Sequence, residues 1–142
     1  MSTILIFLIV VIIIILWVKR SNKSSNNFSS KSIEYTFEIV GEQSCQRNLR
    51  KLAGEKEEES KFVEVTAKVL SDPFNKFDKN AVKVEIDGLL VGFLSKEHAK
   101  LLSGKVINKE VPAVIDGGWL DDESEGSYGV KLGINNLNEL VD

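Results

Sequence analysis

Residues 71–84 read Ser-Asp-Pro-Phe-Asn-Lys-Phe-Asp-Lys-Asn-Ala-Val-Lys-Val and gather carboxylates, carboxamides, lysines and aromatic rings into one short span. Asp72 ahead of Pro73 starts a turn, Asn75 and Asn80 tolerate left-handed backbone, and Asp78 can accept backbone N–H bonds. Phe77 is expected to pin the loop to the core. The oxygen-bearing side chains Asp72, Asn75, Asp78 and Asn80 lie three, three and two residues apart. That is not the alternate-residue pattern of an EF-hand, with its central glycine and closing glutamate, so no calcium site is expected. The single cysteine, Cys45, excludes an intrachain disulfide, and with the single histidine, His98, it makes no zinc set. Cys45 reads as a free, partly buried thiol. His98 has no Ser, Asp or Cys partner at catalytic spacing and is expected at the surface. With no P-loop, no nucleophile elbow and no second carboxylate paired with Asp78, the chain is expected to bind rather than to catalyse, and to need no cofactor and no metal.

The elements that position this loop follow from periodicity. Ile33, Tyr35, Phe37 and Ile39 alternate with polar residues as in a half-buried strand, which Gly41 ends. Residues 45–53 form a short helix with Leu49 and Leu52 on one face and Gly54 as its stop. A second strand over residues 62–70 turns Val63, Val65, Ala67 and Val69 to one side. Residues 81–86 and 89–94 make a hairpin through the turn pair Asp87-Gly88. Ser95 caps a helix over residues 96–103 that buries Ala99 with Leu102 or Leu101, and Gly104 stops it. Two further strands cover residues 110–115 and 128–134. The intervening 117–127, rich in glycine and acid, is expected to be a mobile loop, with Trp119 anchoring its edge. Six short strands, two short helices and no βαβ spacing predict a mainly β fold: a small six-stranded antiparallel domain, barrel-like in the OB or SH3 manner.

The N-terminus differs in kind. Residues 4–18 are uninterrupted apolar, and Ser2 and Thr3 extend the uncharged stretch to a helical length of about 25 Å, slightly short of a hydrocarbon core of about 30 Å. Nothing basic precedes it, whereas Lys19, Arg20 and Lys23 follow, which predicts one transmembrane helix with the bulk of the chain on the cytoplasmic side. Residues 19–32, nearly all Ser, Asn and Lys, predict a flexible linker whose lysines are drawn to anionic headgroups of the lipid bilayer. The resulting organisation is an anchor over 1–18, a linker over 19–32, a domain over 33–135 and a C-terminal tail over 136–142.

The stretch from Asp72 to Val82 resembles the motif D-P-x-N-x-(F/Y)-D-x-N-A-V of the HIRAN domain. Val40-Gly41 upstream, and Asp87-Gly88 and Val91-Gly92-Phe93-Leu94 downstream, extend the resemblance to most of the soluble part. It implies a six-stranded barrel-like fold with two helices and a site for the 3′ end of single-stranded DNA. Carried over residue by residue, it implies that Asp78 receives the terminal 3′-hydroxyl, Phe77 flanks the terminal bases, Asn75 lines the pocket and Lys96 contacts phosphate, with Phe93 of the Gly92-Phe93-Leu94 element beside them. After Val40-Gly41 the DNA-binding members carry an Arg-Tyr pair, where this chain has Gln43 and Ser44.

Charge bears on the same question. The chain totals −3, but residues 1–32 hold four basic side chains and no acid, so the other 110 residues carry 14 basic against 21 acidic groups, a balance of −7. Non-specific nucleic-acid binders show the opposite sign. Two non-enzymatic classes therefore stand: a membrane-anchored nucleic-acid-binding module for single-stranded 3′ ends, and a membrane-anchored scaffold that keeps the fold and takes a protein partner.

Overall fold

In the computed structural model, which describes residues 2–21 and 31–141, the alternating segments become strands much as their periodicity requires. Backbone contacts divide the chain at Ser32 and Ile33 into two units. The first contains helix α1, Ser2–Ser21. Its apolar side chains are open to the surroundings, Ile4, Phe7 and Ile14 each by more than half. Among the described residues no helix is long and apolar enough to cross a membrane, so the expected span over residues 1–18 is not found as such. The unbroken apolar part of α1 is fifteen residues, a rise of about 22 Å. Lys19, Arg20 and Ser21 belong to α1 rather than to a linker, and residues 22–30 of that linker lie outside the described residues.

The second unit is a mainly β domain. Strands β1 Phe37–Glu38, β2 Lys61–Ser71, β3 Val82–Ile86, β4 Leu89–Phe93, β5 Asn108–Gly117 and β6 Tyr128–Leu132 form one antiparallel sheet in the order β1-β6-β5-β2-β3-β4. Helices α2, Gln46–Ala53, and α3, Lys96–Leu101, flank it. Strand β2 alternates as expected, with Ala67 and Val69 fully buried, and pairs over its length with β5 from Lys61 opposite Gly117 to Leu70 opposite Asn108. The hairpin turn is at Asp87 and Gly88, both at positive φ, the backbone that a two-residue turn between twisted strands demands. Val84, Ile86, Val91, Ala113, Ile115 and Leu132 fill the concave side, with Leu49 of α2 and Ala99 of α3 closing on them.

The sheet curls into a half-barrel whose two edges are joined by side chains of α2 and by one backbone bridge. Gln46 on α2 donates its amide to the carbonyl of Tyr128 (2.9 Å) and accepts the Tyr128 N–H (2.9 Å), as a neighbouring strand would. Two residues on, Asn48 donates to the Leu90 carbonyl of β4 at 2.8 Å. The chain after β1 completes the join: Val40 and Phe93 exchange both backbone hydrogen bonds at 2.8 Å. Gly92 is obligatory there, because a Cβ on it would lie 2.7 Å from the Val40 carbonyl oxygen and 2.8 Å from Ile39 Cδ1.

Several sequence expectations are corrected. The first strand shrinks to Phe37–Glu38 plus the Val40 bridge, since the chain there must leave β6 to reach β4. The segment 117–127 is fastened rather than loose: Leu120 bridges Glu125, Trp119 bridges Glu57, and Gly126 lies against the Trp119 ring. Within it the Asp121 carboxyl is held below its usual range by the N–H groups of Glu123 and Ser124. Residues 136–142 are no simple tail, because a 3-10 turn at Leu137–Leu140, capped by Asn136, buries Leu140 in the core.

Removing either fastening has a calculable cost. Gln46→Ala strands the N–H and carbonyl of Tyr128 and should cost about 1–3 kcal/mol. Gly92→Ala overpacks the join and should cost about 1–3 kcal/mol. Urea unfolding checks both; an unchanged midpoint for either variant contradicts the side-chain closure.

Candidate nucleic-acid interface

The loop after β2 is built by its own polar side chains. Asp72 N–H bonds to the Ala81 carbonyl at 2.8 Å and closes the base of the loop. Inside it, the Asn75 side-chain oxygen accepts the N–H groups of Phe77 (2.9 Å) and Asp78 (3.1 Å), while its amide donates to Asp72 Oδ2 at 3.1 Å. Asp78 Oδ1 accepts the Asn80 N–H at 2.8 Å, and the Asp78 carbonyl accepts that of Ala81. These bonds fix the Asp78 carboxylate by one oxygen, and among the described residues the second oxygen accepts no hydrogen bond.

With its polar interior satisfied by itself, the loop has no use for its aromatic rings. Phe74 and Phe77 are each 93% exposed, which corrects the expectation that Phe77 packs on the core.

Next to the loop lies an open groove of about 330 Å³, lined by Asn75, Phe77 and Asp78 on one side and by Val40, Phe93 and Lys96 on the other, over a floor that includes Ala81 and Ala99. The edge joint supplies Val40 and Phe93. Lys96 comes from the first turn of α3, whose start is set by Ser95, the side chain of which accepts the His98 N–H at 3.1 Å. Five of the seven residues singled out from the sequence thus meet around one groove: Asn75, Phe77, Asp78, Phe93 and Lys96. The groove combines a fixed acceptor, two aromatic rings and one cation.

Gln43 and Ser44 do not line it. Gly41, at φ 82°, turns the chain into the 3-10 turn Glu42–Cys45, where Gln43 Oε1 accepts from Ser127 Oγ at 3.4 Å and the Ser44 N–H bonds to the Gly41 carbonyl. No protein-family model, no curated protein and no solved structure matches this chain.

His98 departs from its expected place at the surface. It is half-buried, its ring packs on Phe37 with centroids 4.8 Å apart, and its Nδ1 is buried without a hydrogen-bond partner. Cys45 is buried, and that burial, with the charge of Glu42 nearby, pushes its thiol above the ordinary value and away from the nucleophilic thiolate. Among the described residues no three His, Cys, Asp or Glu side chains are grouped to hold a metal ion.

What sequence reasoning missed is the distribution of charge. The segments 71–81 and 95–106 carry Lys76, Lys79, Lys96, Lys100 and Lys105 against Asp72, Asp78 and Glu97. Among the described residues none of these five lysines is ion-paired. Cations paired elsewhere include Arg50 with Glu55, Lys56 with Glu125, Lys61 with Glu57, Lys83 with Glu85 and Lys131 with Asp116. The net −7 is therefore concentrated away from the loop, and the groove lies in a locally basic, aromatic end.

Fold and ligand roles fall to different residues of this loop. Asn75→Ala removes three hydrogen bonds and should lower stability by about 1–3 kcal/mol, whereas Phe77→Ala should leave thermal unfolding unchanged, because its ring touches little. A destabilised Phe77→Ala would restore the core-pinning role.

Proposed function

We propose that this domain holds the 3′ end of a single-stranded nucleic acid in the groove beside the 72–81 loop. The observation that carries the reading is the Asp78 carboxylate, fixed through one oxygen by Asn80 and free at the other, within a groove flanked by Phe77, Phe93 and Lys96. A terminal hydroxyl is a donor, and a pre-positioned acceptor takes it without the entropy cost of ordering a side chain. Base faces meet Phe77 and Phe93, and Lys96 neutralises a phosphate. The likeness of residues 72–82 to the HIRAN motif supports the same reading. The absence of an Arg-Tyr pair at Gln43 and Ser44 removes one stacking platform, worth about 1–3 kcal/mol, so binding is weak, at best about micromolar.

We also propose that the N-terminal unit attaches this module to the inner face of a membrane. Its support is the apolar run 4–18 followed by Lys19, Arg20 and Lys23. An apolar run this short needs local thinning of the bilayer or snorkelling of its flanking basic side chains.

Fluorescence anisotropy of the full chain in mild detergent, with oligonucleotides ending in a 3′-hydroxyl or a 3′-phosphate, tests the first proposal. The free hydroxyl should bind more tightly, Asp78→Ala should abolish that preference while the protein still melts cooperatively, and Lys96→Ala should weaken both strands alike. If neither the wild type nor Gln43→Arg with Ser44→Tyr binds any strand at low salt, the scaffold reading with a protein partner replaces this one. For the second proposal, protease added to intact cells should spare the domain, and its digestion from outside reverses the orientation.

A further inference from the structure

The 72–81 loop is a ridge with a hollow on each side, and the function proposed above uses only one of them. The other, of about 550 Å³, is bounded by Pro73, Lys79 and Asn80 of the loop and by Lys105, Val106 and Asn108 beyond α3. Ala81 lines both hollows, so a single stretch of chain separates them. Asp78 borders the first and Lys79 the second, and their Cα atoms are one peptide apart, about 3.8 Å.

The chemistry of the second hollow is complementary to that of the first. The first offers an acceptor; the second offers two ammonium groups, Lys79 and Lys105, neither of them ion-paired among the described residues, and no carboxylate lines it. On the ridge between them, Phe74 and Phe77 are exposed, and Val106 on the far rim is 92% exposed. Exposed rings between two hollows that carry charged groups are a stacking surface for bases, whose faces need apolar contact while their phosphates need cations.

We propose that the second hollow holds the phosphodiester backbone of the same strand, on the 5′ side of the terminal nucleotide, with Lys79 and Lys105 as its phosphate contacts. This rests on the 3′-end reading of the first hollow and extends it with a direction: the strand ends on Asp78, crosses the ridge with its bases against Phe77 and Phe74, and leaves over Lys79 and Lys105. The terminal pocket then decides what is bound, and the second hollow supplies length-dependent affinity.

The test compares a thymidine dinucleotide with an octanucleotide, each with a free or phosphorylated 3′ end, on the full chain in mild detergent. The octanucleotide should bind about tenfold more tightly than the dinucleotide. The double variant Lys79→Ala with Lys105→Ala should lose that gain, lower the slope of log K against log salt by about 1.4, the value for two phosphates of a single strand, and leave the dinucleotide and its 3′ preference untouched. Its melting temperature should match wild type because both side chains are on the surface, and Lys79→Arg with Lys105→Arg should keep the slope. An octanucleotide bound no better than the dinucleotide, or a salt slope unchanged in the alanine variant, overturns the proposal. So does a soluble short-chain phosphatidylserine that binds with the same lysine dependence while strands do not, since the occupant is then a lipid surface. The 3′-end reading is judged separately by the dinucleotide: loss of end preference there, with the slope change intact, removes the terminal pocket and supports the phosphate hollow.

Discussion

The close approach of Val40 to Gly92 and Phe93 is the constraint on which the domain's working end depends. Six strands in the order β1-β6-β5-β2-β3-β4 leave a curled sheet with two separate edges, and nothing in that order brings them together. The paired hydrogen bonds between Val40 and Phe93, with those of Gln46 to β6 and Asn48 to β4, make the join from different parts of the chain. One wall of the groove, Val40 with Phe93, is that join seen from outside. A Cβ at position 92 would push Val40 away and split that wall, so the glycine of the Gly92-Phe93-Leu94 element acts on the groove without lining it.

Across from this wall, the loop is organised by hydrogen bonds that it makes to itself. Asn75 orders the backbone of Phe77 and Asp78 while Asp78 orders that of Asn80, so the same residues build the turn and present the acceptor. Building a turn and holding the proposed strand end are not competing roles here. The cost of ordering the loop is met during folding, and the proposed ligand would meet a surface already set. The unpaired lysines around it give that surface its local sign, although the domain as a whole is acidic.

Much of the scaffold was legible in residue order because strand alternation and the Asp87-Gly88 turn are local signals. Strands β2 to β6 fall within two or three residues of where periodicity puts them. The grouping of Asn75, Phe77, Asp78, Phe93 and Lys96 was legible only through the motif's resemblance, since two of the five lie across the groove from the loop. Other features depend on distant partners and leave no local trace. Gln46 in an amphipathic helix gives no hint that it will pair with Tyr128, 82 residues away. Net charge is a sum, and it conceals that Lys83 and Lys131 are neutralised by neighbours while Lys79 and Lys105 are not. Phe77 was misplaced because an apolar ring in a turn usually packs inward, and here the loop satisfies itself without it. Leu140 joined the core although the short segment around it shows too few apolar residues to reveal a period.

The side-chain amides of α2 also limit the ways in which another protein could engage this domain. A half-open sheet ordinarily invites an incoming peptide to add itself as a further strand, reading the exposed N–H and carbonyl groups of the edge. Here Gln46 occupies both backbone groups of Tyr128 on β6, Asn48 takes the Leu90 carbonyl on β4, and Val40 consumes those of Phe93. The other terminal strand, β1, is two residues long. Recognition by strand addition finds little backbone to read, so a protein that docks on this fold must do so through side chains, and the same plugging protects the sheet from pairing edge to edge with its own copies.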